Sequence, residues 1–460
     1  MALVVCVDFG STFTKAALVD LGTGRLVAAA SHRTTIDTDV LDGFDACLDA
    51  LADVEPRARN AEVLACSSAG GGLRIAVVGN EELVTAEAGR RVALSSGGRV
   101  VHVASGGLDP ASLTTLEATS PDVVLLVGGT DGGNAEVLLS CAAFLAEARW
   151  PGPVVVAGNI DVQDEVAALF GSAGTPYVLA ANVVPQIGVL RPEPARAAIR
   201  EMFLRHVIGG KHLSQRADFT AMVRGATPDV VLTAVELLAN GLDAERPGAG
   251  DVVVVDVGGA TTDVHSVVEV DPEDGGLSRQ VVASVPVTRT VEGDLGMRWS
   301  AVPTVEEGLG LGVVDQGAAE DLRQAAEVRR DDPAFLPTNH AEVAADREIA
   351  ISAVAVALRR HAGRSQVVYG PDGRVVERTG KDLREVGVLV GSGGVLRNSP
   401  DAAVDEIFGT ALEESGAGWQ LPRRPRVLVD RDYVLAPAGL LADRHPDAAY
   451  ALLHSLLGFT

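Results

Sequence analysis

The stretch that decides the fold occurs twice in this chain of 460 residues. The first copy reads Val4-Val5-Cys6-Val7-Asp8-Phe9-Gly10-Ser11-Thr12-Phe13-Thr14-Lys15, and the second reads Val252-Val253-Val254-Val255-Asp256-Val257-Gly258-Gly259-Ala260-Thr261-Thr262-Asp263. The two copies align without a gap, so that Asp8 matches Asp256 and Lys15 falls on Asp263. Each copy predicts a buried strand that ends near an aspartate, a tight turn of small residues and a second strand.

Turns of this composition are suited to phosphate, because small residues let several backbone N–H groups converge on one anion. The predicted phosphate contacts are Gly10, Ser11, Thr12, Thr14 and Lys15 in the first copy, and Gly258, Gly259, Thr261 and Thr262 in the second. Asp8 and Asp256 are predicted to anchor the water shell of Mg²⁺ and to serve catalysis. Two such hairpins facing each other would clamp a polyphosphate, and a pair of ordinary β-hairpins is the alternative interpretation.

A third glycine-rich bend lies further along the chain. The stretch Val388-Leu389-Val390-Gly391-Ser392-Gly393-Gly394-Val395-Leu396-Arg397 predicts a buried strand that opens into a bend. The backbone of Gly391, Ser392, Gly393 and Gly394 could approach a flat adenine and its ribose closely, because glycine has no side chain. A simple packing bend is the alternative interpretation of these residues.

Composition restricts the class of partner. The chain carries 62 acidic and 38 basic side chains, for a formal charge of −24. A field this negative repels nucleic-acid backbones and anionic membrane surfaces, so neither is expected as a partner. The four cysteines are far apart and form no CxxC pair, and the N-terminus lacks the basic flank of a signal peptide. A cytoplasmic protein without a disulfide framework or a cysteine metal site is expected.

Valine-rich runs alternate with alanine- and leucine-rich stretches, which is typical of an α/β fold. The strongest strand predictions are Leu3–Val7, Val123–Val127, Val154–Ala157, Val252–Val255, Val281–Val285 and Val388–Val390. Apolar residues at helical spacing predict helices over Leu41–Ala52, Glu136–Ala148 and Ile349–His361.

These motifs resemble the two phosphate loops and the adenosine loop of the ATPase superfamily of actin, Hsp70 chaperones and sugar kinases. Within that superfamily the chain is most similar to the MutL family associated with glutamate mutase, which is unrelated to the mismatch-repair protein of the same name. The similarity covers nearly the whole chain and is carried by Ala69–Arg74, Leu126–Asn134, Val154–Asn159, Asp256–Ser266 and Thr290–Gly296.

The resemblance implies an α/β, actin-like ATPase fold in which two ribonuclease-H-like domains flank an ATP cleft. On this basis the first lobe with phosphate loop one covers residues 1–94, an inserted α/β unit 95–182, a mainly helical connector 183–250, and the second lobe 251–460. Lys15 stands where actin has its phosphate-contacting lysine. The implied cofactors are ATP and Mg²⁺, and the implied role is a reactivating chaperone of an adenosylcobalamin-dependent mutase.

Several other residues are weaker candidates. Asp263 is a candidate for orienting the attacking water. Asp263-Val264-His265 is similar to the start of the corrinoid motif D-x-H-x-x-G, but Val268 stands at the position of the glycine. Gly128–Gly133 lacks the G-x-G-x-x-G pattern of a dinucleotide site, so a bend is the favoured interpretation there, with Asp131 and Asn134 as ligand or partner contacts. Glu292 and Asp294 could complete a metal or water site or cap a helix, and Cys66 could be a reactive thiol or a small residue at a strand end.

Three other functions remain open at this stage. A small-molecule kinase of the same superfamily would need a general base in a substrate pocket. A filament-forming or scaffold protein would self-associate in a nucleotide-dependent way, which the strong negative charge opposes. An activator of 2-hydroxyacyl-CoA dehydratases would need cysteines for a bridging iron–sulfur cluster, and none is suitably placed.

Overall fold

A computed structural model describes residues 2–269, 285–370, 373–413 and 418–458. The described residues form two compact units. The first is built mainly from residues 2–234 and 436–451, and the second mainly from residues 235–269, 286–370, 373–413, 418–435 and 452–458. The predicted α/β class is confirmed, because helices alternate with mixed or parallel β-sheets in both units.

The first unit contains a five-stranded sheet that carries the first copy of the motif. Its strands are β1 (Leu3–Phe9), β2 (Phe13–Asp20), β3 (Arg25–Arg33), β4 (Glu62–Ser67) and β10 (Val223–Ala226). They lie in the order β10-β4-β1-β2-β3, with β1, β2 and β3 antiparallel and β4 and β10 parallel to β1.

The second unit repeats this arrangement around the second copy of the motif. Its strands are β13 (Val252–Val257), β14 (Thr262–Val267), β15 (Val287–Glu292), β18 (Val388–Ser392) and β19 (Arg426–Val429). The order is β15-β14-β13-β18-β19. As in the first sheet, β13, β14 and β15 are antiparallel to their neighbours among themselves, and β18 and β19 are parallel to β13. Counted along the chain, both sheets read 3-2-1-4-5, the arrangement of a ribonuclease-H-like domain, so the duplicated fold is confirmed.

A third sheet of five strands in the first unit is entirely parallel. Its strands are β5 (Leu73–Gly79), β6 (Gly98–Ser105), β7 (Val123–Leu126), β8 (Val154–Val156) and β9 (Tyr177–Leu179), in the order β6-β5-β7-β8-β9. Two short antiparallel pairs complete the strands, β11 (Gly241–Asp243) with β12 (Arg246–Pro247), and β16 (Arg364–Gly370) with β17 (Gly373–Thr379).

The α-helices of the described chain are α1 (Val40–Val54), α2 (Glu87–Ser95), α3 (Pro110–Ala118), α4 (Glu136–Glu147), α5 (Gln163–Ala173), α6 (Glu193–Met202), α7 (Ile208–Gly210), α8 (Ala217–Met222), α9 (Thr227–Asn240), α10 (Ala301–Gly310), α11 (Ala319–Asp331), α12 (His340–His361), α13 (Gly394–Asn398), α14 (Asp401–Leu412), α15 (Leu435–Leu441) and α16 (Pro446–Leu456). Short 3₁₀ segments cover Pro56–Asn60, Ile160–Val162 and Gln316–Ala318, and π segments cover Glu82–Ala86 and Phe203–Val207. Each helix that the structure describes is too short or too polar to cross a membrane.

Helix α1 shows how the sequence places a helix behind the first hairpin. The side chain of Asp39 accepts a hydrogen bond from Leu41 N and so caps the helix, and Pro56 follows its end. The apolar side chains of one stripe, Leu41, Phe44 and Leu51, are buried in the same core as Phe9 of β1. Burying each of them contributes about 1.5–3 kcal/mol before the entropy of ordering is counted.

Five of the six predicted strands and all three predicted helices are present, with ends that differ by a few residues. Helix α12 extends furthest beyond its prediction, because Asn339 caps it at Glu342 N well before the apolar stretch begins. Residues 281–284 of the strand predicted over Val281–Val285 lie outside the described residues, so that prediction stays open.

Two predicted domain boundaries do not coincide with the sheets. The unit expected from residue 95 shares its sheet with β5, which begins at Leu73, because β5 pairs with both β6 and β7. The connector expected over 183–250 contributes β10, which extends the first sheet beside β4. Parallel pairing joins segments that are distant along the chain, so neither junction carries a local turn signal.

Candidate functional site

The first hairpin forms a tight turn at the ends of β1 and β2. Asp8 lies opposite Lys15 in the register, and Phe9 lies opposite Thr14. The turn closes where Gly10 N donates to Phe13 O over 3.2 Å. A Cβ atom on Gly10 would lie 2.6 Å from that same oxygen, which is why the turn requires glycine at this position.

The carbonyl groups of this turn are held from one side by Thr34. Its hydroxyl donates to Gly10 O over 2.8 Å, and its backbone N–H donates to Thr12 O over 3.0 Å. The backbone N–H groups of Ser11 and Thr12 donate to no acceptor within the described part of the chain. Ser11 is exposed and Thr12 is half-buried. The turn therefore offers two adjacent donors, the arrangement that an anion binds.

The second hairpin repeats this geometry with different residues. Gly258 N donates to Thr261 O over 2.9 Å and closes the turn. Its carbonyls accept bonds from one downstream segment, from Met297 N to Gly258 O (2.9 Å), from Arg298 N to Gly259 O (2.8 Å) and from Ser300 Oγ to Ala260 O (2.6 Å). In the described ranges the N–H groups of Gly259 and Ala260 have no acceptor. In both turns, therefore, carbonyl groups accept hydrogen bonds from a neighbouring segment, and two adjacent backbone N–H groups have no acceptor in the described chain.

The carboxylate of Asp8 is enclosed by side chains from three strands or their ends. Thr227, which follows β10, donates its hydroxyl to Asp8 Oδ1 over 2.5 Å. Cys66 of β4 places its thiol 3.6 Å from the same oxygen. Lys15 Nζ lies 3.8 Å from Asp8 Oδ2, and the Asp8 side chain is only 3% exposed. The lysine remains 28% exposed beside the turn.

Two predicted phosphate contacts have a structural role. Thr14 and Thr262 are completely buried. The hydroxyl of Thr14 lies 3.3 Å from that of Thr34, and Thr262 Oγ1 donates to Leu295 O over 3.1 Å. Because these hydroxyls face neighbouring segments, they hold the hairpins in place and do not point to a ligand. Thr261 is half-buried, and its hydroxyl donates to Asp263 over 3.4 Å.

Asp263, the candidate for orienting the attacking water, forms an ion pair with another side chain of the protein. Arg289 of β15 donates to Asp263 Oδ1 from both Nε (3.0 Å) and Nη2 (2.6 Å). The side chain of Asp263 is only 13% exposed and that of Arg289 only 3%. Asp256, directly opposite Asp263 in the register, is half-buried. Arg289 offsets the repulsion that two facing carboxylates would otherwise cause.

The four residues of the predicted adenosine bend differ in exposure. Gly391 and Ser392 are the last residues of β18, and both are buried. Gly393 has φ of +95°, and a Cβ there would lie 2.1 Å from Val257 O, so this glycine lets the bend pack against the end of β13. A Cβ on Gly394 would meet no atom within 4 Å, and this residue is the open part of the bend.

Glu292 and Asp294 form neither a metal site nor a helix cap. The guanidinium of Arg360 donates to Glu292 Oε2 and Asp294 Oδ1, both over 2.8 Å, and to Glu307 Oε2 over 2.8 Å. Burial raises the pKa of Glu292, whereas the hydrogen bond from Arg360 lowers the pKa of Asp294. Within the described residues, no group of three or more His, Cys, Asp or Glu side chains could hold a metal ion.

The remaining candidates are also structural. His265 lies inside β14 and is 1% exposed, which keeps it from ligating a corrinoid, and burial lowers its pKa well below the usual value. Cys66 is a free, buried thiol whose pKa burial raises well above its usual value, so the reactive-thiol interpretation does not hold. Asp131 accepts hydrogen bonds from Asn182 Nδ2 and Ile160 N, which fixes the bend after β7. Asn134 caps Glu136 N at the start of α4.

Comparison with known proteins identifies the family. A family model described as MutL protein matches residues 4–457. The chain is also 36% identical to Protein MutL of Clostridium tetanomorphum over 462 residues, which cover 99% of each chain. The chain belongs to the MutL protein family.

Solved structures resemble this MutL family member only distantly. The activator of 2-hydroxyisocaproyl-CoA dehydratase from Clostridium difficile with bound ADPNP is 9% identical, covers 100% of this chain and 98% of its own, and gives a TM-score of 0.30. A ROK hexokinase from Thermus thermophilus is 14% identical, with 99% of both chains covered and a TM-score of 0.26. Plasmodium falciparum glycerol kinase with ADP is 9% identical, with 98% and 92% covered and a TM-score of 0.31. At these TM-scores the likenesses add no argument about the site.

The sequence of this MutL family member did not indicate the residues that support its two turns. Thr34, Thr227, Arg289 and Ser300 each contact a motif residue, and none of them belongs to either copy of the motif. Thr227 lies 219 residues from Asp8 along the chain. The one local feature of the sequence that could have pointed to Thr227 is its position directly after the short strand β10.

Proposed function

We propose that this MutL family member binds ATP with Mg²⁺ through its two hairpin turns and acts as a reactivating chaperone of an adenosylcobalamin-dependent mutase. The observation that carries the nucleotide part is the matched geometry of the turns. In each turn, carbonyl groups accept hydrogen bonds from a neighbouring segment, and two adjacent backbone N–H groups have no acceptor in the described chain. Two unrelated hairpins would not be expected to share both features.

The residues at the turns fit a bound polyphosphate. The N–H groups of Ser11 and Thr12 would donate to phosphate oxygens at the first turn, and those of Gly259 and Ala260 would do so at the second. Lys15 would add a positive charge at the first turn, where it is 28% exposed. These donors act at short range, so they oppose the repulsion from the net charge of −24.

Mg²⁺ also fits, provided that it is bound through water. Asp8 has one oxygen, Oδ2, beside Lys15 and another, Oδ1, that the Thr227 hydroxyl and the Cys66 thiol contact, so a metal-bound water would approach Oδ2. Mg²⁺ keeps several waters and usually takes only one or two carboxylates together with phosphates.

The chemistry that ATP–Mg²⁺ supplies when bound is phosphoryl transfer to water, which depends mainly on positioning and electrostatic stabilisation. In this chain the turn amides and Lys15 would position and stabilise the negative charge. Asp8 is held in place by Thr227 and Lys15, so its carboxylate would orient a water bound to Mg²⁺. Asp263 contributes to the hairpin through Arg289, and we assign it no role with water.

The chaperone part of the proposal is supported by membership of the MutL family. The partner would be an adenosylcobalamin-dependent mutase of the glutamate mutase type, from which damaged corrinoid has to be released. The net charge of −24 disfavours nucleic acid and anionic membranes as partners. Nucleotide turnover would then be coupled to release of the corrinoid by the partner.

Nucleotide binding is tested by the Lys15→Ala variant, with Lys381→Ala as a matched control that removes a lysine outside the turns. Loss of one charge-assisted contact should weaken ATP binding by roughly tenfold to a hundredfold, as measured by titration calorimetry. Asp8→Asn should impair Mg²⁺-dependent turnover. Wild-type affinity and turnover in both variants would refute the assignment of the turns.

The partner is tested by co-purification with a cobalamin mutase, with and without ATP, followed by a measurement of corrinoid release. We expect ATP-dependent release by the wild-type protein and none by Lys15→Ala. ADP release that depends on a sugar or an acid and not on the mutase would instead favour a small-molecule kinase. Nucleotide-dependent sedimentation of the protein alone would favour a filament or scaffold.

A further inference from the structure

The third sheet, in the first unit, has the strand order of a doubly wound fold. Counted along the chain, β6-β5-β7-β8-β9 reads 2-1-3-4-5, and every pair is parallel. Val92 of α2 is buried in one core with Val77, whereas Leu138 of α4 is buried in another core with Val78. The segments that follow β5 and β7 therefore leave the sheet towards opposite faces. In parallel sheets of this order, ligands bind at this point, outside the carboxyl ends of the two strands.

The bend that follows β7 is held through its carbonyl groups from the side of β8. Asn159, just after β8, donates its backbone N–H to Gly128 O over 3.0 Å, and Asn182 Nδ2 donates to Gly129 O over 2.9 Å. Asn182 also lies at the end of β8, because the residue after it donates its N–H to Ala157 O over 3.0 Å. Both carbonyl groups therefore point towards the end of β8.

The direction of the carbonyl groups fixes the direction of two backbone N–H groups. In a planar trans peptide the N–H points opposite to the carbonyl, so the N–H groups of Gly129 and Thr130 point away from β8. The other neighbour of β7 is β5, and the two N–H groups therefore face the end of that strand. They donate to no acceptor within the described ranges, and Gly129 is buried. A buried N–H group without a partner is rare in folded proteins, so a ligand is expected here.

Asn80 lies across from this bend at the end of β5. A Cβ atom on Gly128 would be 3.6 Å from Asn80 Cβ. Asn80 Nδ2 donates to Glu81 Oε1 over 2.6 Å, and its Oδ1 accepts from no donor in the described part of the chain. The end of the sheet thus offers two adjacent N–H donors and one carbonyl acceptor. A carbonyl oxygen has two lone pairs and can accept from both donors, and an N–H next to it can donate to Asn80.

The charge of these segments selects a neutral ligand. Residues 79–86 and 127–135 contain Glu81, Glu82 and Asp131 and neither lysine nor arginine. These carboxylates would repel a phosphate group, because like charges at short range raise the free energy of binding. A neutral group with a carbonyl oxygen beside an N–H carries no such cost.

We propose that this end of the third sheet binds a neutral heteroaromatic ring with a carbonyl group next to a ring N–H, as in uracil and in the isoalloxazine of flavins. The ring oxygen would accept from the N–H groups of Gly129 and Thr130, and the ring N–H would donate to Asn80 Oδ1. A ring holds both groups on one edge, whereas a trans peptide points them in opposite directions. The site shares no residue with the two hairpin turns and does not depend on the proposed function.

The test is calorimetric titration of the full chain with uridine and, in a second arm, with riboflavin, which distinguishes the two sources of such a ring. We expect saturable binding of at least one of them. The derivative methylated at ring N3 lacks the N–H and should bind roughly tenfold more weakly or worse. Uridine monophosphate should bind no more tightly than uridine, because the segments around the site contain no basic side chain. Saturating ATP should leave the affinity unchanged.

Asn80→Ala removes the acceptor and should weaken binding roughly threefold or more. Asn60→Ala, which alters an exposed asparagine in the same unit, is the matched control and should bind as the wild type does. Melting temperatures without ligand show that both variants are folded. The proposal is overturned if neither uridine nor riboflavin binds up to its solubility limit, or if Asn80→Ala and Asn60→Ala bind equally. It is also overturned if the N3-methyl derivative binds as tightly as its parent, or if saturating ATP abolishes binding.

Discussion

The buried His361 makes the stability of the second unit depend on pH. It is the last residue of α12, and its side chain joins two strands, with Nε2 2.8 Å from Ser266 Oγ and Nδ1 3.0 Å from Thr290 Oγ1. Burial, with a further contribution from the charge of Lys381, lowers the pKa of His361 to about 3. The usual value for histidine is about 6.5.

The sign of the effect follows from proton linkage. Because the pKa of His361 is lower in the folded state, the unfolded chain binds the additional proton between about pH 6.5 and pH 3. The stabilising contribution of neutral His361 is therefore fully present above about pH 6.5 and is lost as the pH falls towards 3. At 1.36 kcal/mol per pH unit, lowering the pH from about 7.5 to about 5 should cost about 2 kcal/mol through this residue.

The assay is denaturant-induced unfolding of the wild-type protein and His361→Gln at about pH 7.5 and about pH 5, followed by circular dichroism. Glutamine removes the titrating group and keeps an amide that can hydrogen-bond to one of the two hydroxyls. The wild-type protein should lose about 2 kcal/mol more of its free energy of unfolding than the variant. His340→Gln, at the exposed start of the same helix, should follow the wild type.

Two results would refute this reasoning. One is an equal loss of stability in the wild type and His361→Gln between the two pH values. The other is direct titration of the His361 ring near its usual pKa in the folded protein, as followed by NMR. Burial is the main cause of the lowered pKa of His265, and His361→Gln leaves that residue in place, so its contribution enters both proteins.

Three further predictions concern packing. Asp346→Asn removes the charge that pairs with Arg329, which is only 1% exposed. The free energy of unfolding, measured by denaturant titration, should therefore fall by about 3–5 kcal/mol. An unchanged midpoint of unfolding would contradict this. Gly393→Ala should lower the melting temperature through the clash with Val257 O, whereas Gly394→Ala should not, and equal melting temperatures would show that the bend can shift. All four cysteines are buried, so a thiol reagent should modify them only after denaturation, and rapid reaction of the native protein would disprove their burial.

Much of the fold could be predicted because it follows from short local patterns. The valine runs of β1 and β13 end at an aspartate and a glycine, and the alignment of the two copies indicated a duplicated hairpin. The positions of β5 and β10 within their sheets could not be predicted. Parallel partners are joined by long connections, and a short apolar strand fits beside any neighbour of similar polarity.

The candidate site was predictable for the turns themselves but not for what surrounds them. Glycine and small residues at the end of a strand have a local pattern that indicates a turn with available amides. The hydroxyl that fixes Asp8 comes from Thr227, and the guanidinium that occupies Asp263 comes from Arg289. Such partners are set by tertiary packing, and a single sequence contains no spacing rule that connects them.

The two hairpins have the same backbone geometry but opposite charge at one matching position. In the first, Lys15 lies across from Asp8, so the strand pair itself supplies a cation beside the turn. In the second, Asp263 lies across from Asp256, and the compensating Arg289 is 5% exposed and already paired. Among the described residues of the two hairpins themselves, the first has a partly exposed cation at its turn and the second has none. Substitution of Lys15 should consequently weaken nucleotide binding and leave the first hairpin folded. Substitution of Arg289 should instead destabilise the second sheet, because the two facing carboxylates would then lack their cation.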